Sequence, residues 1–169
     1  MRWLLAAAVV ASGCAVHGLA FRTDDRVSIK APSNESTVSL PVTLRWTVKS
    51  LPGIGQSLPG IGQPGAGRPT KFAVFVDRQP MRPGQTFRSV VDDQCKQTPG
   101  CPDPSWLAQR YIFTTTDTTL RLDGVPADNQ GNRFGRGHGH EATIVLVDDA
   151  GRRIGEAAYA VDFFVKGPA

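Results

Sequence analysis

The residues best suited to chemistry are His138 and His140, in the run His138-Gly139-His140-Glu141. On an extended strand, side chains two positions apart leave on the same side, so the two imidazoles could hold Cu²⁺ or Zn²⁺ together. Spacing supplies no third ligand; His17, Glu141, Asp128 and Asp103 are the residues that could provide one. Three pairs of carboxylates, Asp24-Asp25, Asp92-Asp93 and Asp148-Asp149, are each adjacent in sequence and fall at strand ends or in loops. Such pairs read first as solvated turn formers and second as weak Ca²⁺ ligands. Ser12 and Ser105 have neither a nucleophile elbow nor a neighbouring His, so no hydrolytic triad assembles. The expectation is a chain that is not an enzyme and requires no cofactor.

The stretch LPGIGQSLPGIGQP, residues 51–64, repeats itself and is rich in glycine. A phosphate-binding loop needs a helix N-terminus after its glycines. Here Pro64, Gly65, Gly67 and Pro69 follow, and then a strand pattern. The repeat therefore reads as loop slack, which costs only about 0.6 kcal/mol per doubling of length. Leu51, Ile54, Leu58 and Ile61 leave a contact surface as the other reading.

The chain has three cysteines. Cys14 follows an apolar run from Trp3 to Ala11 that is too short to cross a bilayer and fits the apolar region of a secretory signal. The residues Ala11-Ser12-Gly13-Cys14 resemble the lipobox of bacterial lipoproteins, with Ala11 where that family most often has Leu. The resemblance implies cleavage before Cys14 and a diacylglyceryl group on its sulfur. The mature protein would then be lipid-anchored on the extracytoplasmic face of the cell membrane. A plain secretory signal cut elsewhere is the alternative. Cys95 and Cys101 would remain as a pair, with Pro99-Gly100 turning the chain between them. A metal-binding cysteine pair fits less well, because the spacing is too long and no second pair exists.

A length of 169 residues makes one domain the default. The formal charge is +4, yet no run of Lys or Arg exceeds the two residues Arg152-Arg153. Without a basic stripe interleaved with aromatics, nucleic acid is not an expected partner.

The elements that must position these residues are strands. PVTLRWTVK alternates Val42, Leu44, Trp46 and Val48 with Thr43, Arg45, Thr47 and Lys49. That is the period of a half-buried strand. RVSIKAP supplies a strand ended by Pro32, and KFAVFVD puts Phe72, Val74 and Val76 on one face. Two short strands fit near 110–115 and 118–123, and two more are joined by a turn at Asp149-Ala150-Gly151. Helix is expected only over 104–110. The fold class is all-β, an antiparallel sandwich of seven strands with long loop insertions.

VTLRWTV resembles the second strand of fibronectin type III and related immunoglobulin-like domains, where a core Trp sits. LRLDGVP and HEATIVLVDDAGRRIG are similar to their fifth strand and following hairpin. The resemblance implies an immunoglobulin-like domain over residues 26–166, after a signal peptide at 1–13 and a lipidated Cys with its tether at 14–25. It also implies a structural role for His140, its ring hydrogen-bonded back to a loop as it enters a strand, with His138 solvated. In that topology the excursion 79–109 and the loop before His138 lie at the pole away from the first strand's start. Trp106, Leu107, Tyr111, Arg133 and Phe134 are the candidate contact residues. The expected function is a non-catalytic binding or assembly module for an envelope or membrane protein. The alternative is a copper- or zinc-binding protein using His138 and His140.

Overall fold

The strand Lys71–Val76 (β4) is apolar on both of its faces, and that property organises the molecule. The computed structural model describes residues 26–49, 71–127 and 138–166. Phe72, Val74 and Val76 point into a core shared between two sheets, while Ala73 and Phe75 are equally buried on the opposite face. A strand buried on both sides needs a layer over each side.

The inner layer comes from Val27–Ala31 (β1), Val42–Val48 (β3) and Thr119–Leu122 (β6), an antiparallel sheet in the order β1-β3-β6. Alternation along β3 sends Val42, Leu44 and Trp46 inward and Thr43, Arg45 and Thr47 to solvent. Trp46 meets Phe72 of the facing sheet edge-on, with centroids 5.2 Å apart. The second sheet runs Ser36–Val38 (β2), Tyr159–Val165 (β8), His138–Val147 (β7), β4, then Ile112–Thr115 (β5). All its pairings are antiparallel except β2 with β8. Leu44, Leu122, Ile144, Leu146, Val161 and Phe163 close the core between the sheets.

Residues 77–111 cover the apolar patch on the outer face of the five-stranded sheet. Met81, Leu107 and Ile112 are buried there against Ala73, Phe75, Val145 and Val147, with Phe87, Val90 and Trp106 at the margin. Two short helices, Asp93–Gln97 (α1) and Pro104–Ala108 (α2), form part of this cover. Among the described residues no helix is long and apolar enough to cross a membrane.

The seven strands expected from the sequence are all present, within a few residues of their expected ends. Three features differ. β2 is an added strand; its three residues carry no periodicity of their own and are held by β8, as in Glu35 N–H to Asp162 O at 2.7 Å. α1 is an added helix, dependent on a capping aspartate. The third difference concerns the excursion. Rather than lying wholly at the pole away from the first strand's start, its first part returns along the sheet to the turn at 148–153. Thr86 pairs with Arg152, Gly84 N–H reaches Arg153 O at 3.0 Å, and Arg153 N–H reaches Gln85 O at 2.8 Å. The turn at Asp149-Ala150-Gly151 closes as the expected hairpin, with Asp148 N–H reaching Arg152 O at 3.0 Å and Ile154 N–H reaching Leu146 O at 2.8 Å around the Val147–Arg153 bridge; the returning chain then leaves the ladder, and β8 starts only at Tyr159.

Arg153 fastens this junction. Its guanidinium, 7% exposed, donates to Met81 O at 2.7 Å, Glu156 O at 2.7 Å and Ala157 O at 3.2 Å. Burial lowers its pKa, opposed by the nearby Glu156 charge. Beside it Gly151 has φ +71°, and a Cβ there would lie 2.6 Å from the Phe87 ring. Both the left-handed backbone and the ring therefore require glycine.

Arg153→Ala, which strands three carbonyl oxygens, should cost about 3 kcal/mol of unfolding free energy in urea titration. Arg153→Lys should recover less than half of that, since an ammonium cannot span the same carbonyls. Gly151→Ala should cost about 2 kcal/mol, and Phe87→Leu in the same chain should return part of it.

Candidate functional site

Two aspartates build the stapled segment from its ends. Asp92 caps α1, its Oδ1 accepting from Cys95 N–H at 2.8 Å. Asp103 caps α2, accepting from Trp106 N–H at 2.7 Å, and Pro104 occupies the first turn where no N–H is required. Five residues are too few to hold a helix by propagation alone. The caps are supplemented by the disulfide between Cys95 and Cys101, whose Cα atoms are 5.3 Å apart. Arg88 also donates to Lys96 O at 3.0 Å at the end of α1.

Between the helices lies an open cleft of about 620 Å³, with the disulfide among its lining residues. Its wall is a three-part stack. The Arg110 guanidinium lies 3.7 Å from the centre of the Trp106 ring, and its Nη2 donates to Asp92 Oδ2 at 2.9 Å. A planar cation held by an aromatic face and a carboxylate keeps its orientation, although the carboxylate partner is half exposed and contributes little stability. Gln94, Thr98 and Gln109 complete the polar lining. The arrangement offers hydrogen-bond donors and acceptors on a stiff frame, with no nucleophile beside a base.

The other sequence candidates are placed as follows. Leu107 is only 5% exposed and belongs to the core beneath the cover, so it anchors the segment and offers nothing to a partner. Tyr111, at φ +57°, packs against the main core, and its carbonyl accepts from Val76 N–H at 3.0 Å. Arg133, Phe134, Cys14, His17 and Asp128 lie outside the described residues, as does the 51–64 repeat.

His140 is held inside the protein. Its side chain is 1% exposed, its Nδ1 is 2.7 Å from Asp77 Oδ2, and its ring lies against Phe163. Asp77 also accepts from Glu141 N–H at 2.8 Å, at a backbone φ of +53°. The carboxylate thus closes the end of β4 onto the start of β7. His138 lies partly buried on the same strand, two residues away. Glu141 accepts from the Thr143 hydroxyl at 2.9 Å, and Asp103 is engaged as a cap. Among the described residues no group of three His, Cys, Asp or Glu is placed to hold a metal ion.

The adjacent carboxylates act locally. Asp148 accepts from Arg152 N–H at 2.8 Å within its turn, and Asp93 bonds Lys96 at 2.8 Å. Sequence reasoning missed Asp77, read Asp92 only as a turn former or weak Ca²⁺ ligand, and gave Arg110 no role of its own. Asp92 alone carried a readable signal, an aspartate directly before a short polar segment as an N-cap.

The Asp92 pKa is lowered chiefly by the Cys95 N–H bond, with partial desolvation acting against it and Arg110 and Lys96 adding to it. A depressed folded-state value means the cap stabilises α1 above the ordinary carboxylate pKa, and the stabilisation is lost as pH falls through the folded value. Exchange protection of the Cys95 amide should therefore persist through mildly acidic pH and disappear only below the range where free aspartate titrates. In Asp92→Asn that acid transition should be absent.

Comparison with protein-family models, curated proteins and solved structures finds no match, so the chemistry of this cleft rests on its own residues.

Proposed function

We propose that the mature chain is a lipid-anchored, extracytoplasmic immunoglobulin-like module that binds a protein of the envelope without catalysis. The strand order supports the fold assignment. With β2 taken as an extension of the first strand, the first, second and fifth strands oppose the seventh, sixth, third and fourth. That is a two-sheet arrangement of immunoglobulin-related sandwiches. The parallel β2–β8 pairing is what makes the second sheet mixed. The lipobox-like run at Cys14 and a disulfide that persists in oxidising surroundings support export.

The observation that carries the binding role is the Asp92–Arg110–Trp106 stack on a disulfide-stapled segment. Arg and Trp are the residues that most often dominate binding energy, and rigidity lowers the entropy lost on association. A binding role fits the cleft better than a metal-binding role fits His140, whose side chain is 1% exposed and which has no group of three candidate ligands around it among the described residues.

The test is photocrosslinking in native membranes from Gln94 and Gln109, with mass spectrometry of the captured protein. One dominant partner is expected, with capture reduced at least tenfold by Arg110→Glu and by Trp106→Ala. Cys14→Ser should abolish partition of the mature protein into detergent. Capture that is unspecific, or unchanged in both cleft variants, rejects the binding site.

A further inference from the structure

The strand order gathers cations that are far apart in sequence onto the outer face of the three-stranded sheet. Thr43, Arg45 and Thr47 of β3 and Thr119 and Arg121 of β6 are exposed there, and Lys30 is exposed at the β1 bulge. The register sets Arg121 opposite Thr43 and Thr119 opposite Arg45. Arg45 and Arg121 are therefore diagonal neighbours, roughly 7–8 Å apart at Cα. Like charges at that spacing on one sheet face repel, and sheets ordinarily place opposite charges there. The carboxylate bonded to this set is Asp123, 2.8 Å from Arg121. Arg45 and Lys30 have no acidic partner among the described residues.

We propose that this sheet face lies on the anionic phospholipid headgroups of the membrane that holds the anchor, an inference that rests on the acylation of Cys14. Three observations favour lipid over a protein partner. Apart from Asp123 the face is made of hydroxyls and cations, which donate to phosphate, and among the described residues it carries none of the buried aromatic anchors that protein interfaces depend on. The tether, residues 15–25, enters the protein at β1, an edge strand of this same sheet. Fully extended, a tether of that length reaches only about 38 Å, which keeps the face close to the bilayer. With the anchor inserted, headgroup contact becomes intramolecular, so a few cations suffice, each favouring contact about fivefold. The orientation has a consequence for the cleft. The stapled cover lies on the outer face of the other sheet, so a domain resting on β1, β3 and β6 presents Trp106 and Arg110 away from the membrane.

The test places a fluorophore at Thr43→Cys or, as control, at Thr114→Cys on the outer face of β5, in the acylated full-length mature protein. The protein is reconstituted into vesicles carrying nitroxide headgroup lipids. With phosphatidylglycerol present, quenching is expected at Thr43 and not at Thr114, and it should fade as salt rises. Arg45→Glu with Arg121→Glu should lower the contacting fraction at least fivefold per residue, and Arg45→Gln with Arg121→Gln serves if the reversal disturbs folding. Equal quenching at both sites, or quenching unchanged in phosphatidylcholine alone, overturns the proposal. Protection of Thr43 in intact envelopes without quenching in vesicles would assign the face to an anionic polymer and also overturn it. Vesicle flotation and intact mass of the same sample report the anchor separately. A protein that floats but fails the quenching test refutes the sheet face alone, whereas one that does not float refutes the acylation.

Discussion

The constraint on which this molecule depends is the two-sided burial of β4. A sandwich of two sheets ordinarily leaves the outer face of each sheet to water, with polar residues alternating against the core. Here Ala73 and Phe75, joined by Val145 and Val147 of β7 and Ile112 of β5, make an apolar patch on the outer face of the second sheet as well. Exposed, those side chains would forfeit roughly 25 cal/mol for each Å² of apolar surface, and they would present a flat apolar sheet to other chains. The segment between β4 and β5 is consequently no decoration. It is the layer that lets β4 exist, and Met81 and Leu107 are the side chains by which it discharges that task.

A cover with little regular structure cannot hold itself in place by its own ladder of hydrogen bonds. It is secured at several points by different chemistry. At one end Arg153 addresses backbone carbonyls of both the cover and the β7–β8 connection, which is why a cation is tolerated in a site with no matching carboxylate bond. Five donors in a fixed plane suit several carbonyls at once, and the charge remains because burial must overcome a very basic group. In the middle the disulfide closes a short loop; on chain-entropy grounds that is worth roughly 2 kcal/mol, enough for a segment though not for the fold. At the other end Asp77 ties the start of the cover to β7 through His140 and the Glu141 amide. The histidine that looked most like a metal ligand is one of these fastenings.

This division explains what could be read from the sequence. Strands that alternate, such as β3 with Trp46 inward and Arg45 outward, declare themselves because their side chains face two different environments. β2 and α1 do not, because a three-residue edge and a five-residue helix are stabilised by what they touch: β8 for the first, Asp92 and Cys95 for the second. The disulfide was legible from cysteine count and spacing. The apolar second face of KFAVFV is plain in the sequence as well, and a strand apolar on both faces implies a cover on each. The fate of Leu107 and Tyr111 was not legible, since an aromatic or aliphatic residue in an insertion gives the same signal whether it meets a partner or the protein's own sheet. The cleft was invisible for a similar reason: Arg110 acquires its meaning from Asp92 and Trp106 only once both helices are capped.

The two outer faces thus come to opposite solutions of one problem. A face that is apolar must be covered by the chain itself, and the cover, once stiffened, offers specific chemistry in its cleft. A face that is polar needs no cover, and its composition is then open to other demands. On β3 and β6 it is Thr with Arg, and the repulsion between Arg45 and Arg121 is offset in part by the exposed Asp123 bonded to Arg121. The residual repulsion among exposed cations is small in water and is screened by salt, which is why folding tolerates it. Against a fixed sheet of phosphates the same charges all act in one direction. A weak cost to the isolated domain becomes a cooperative preference for one orientation, with the cleft on the side that remains accessible.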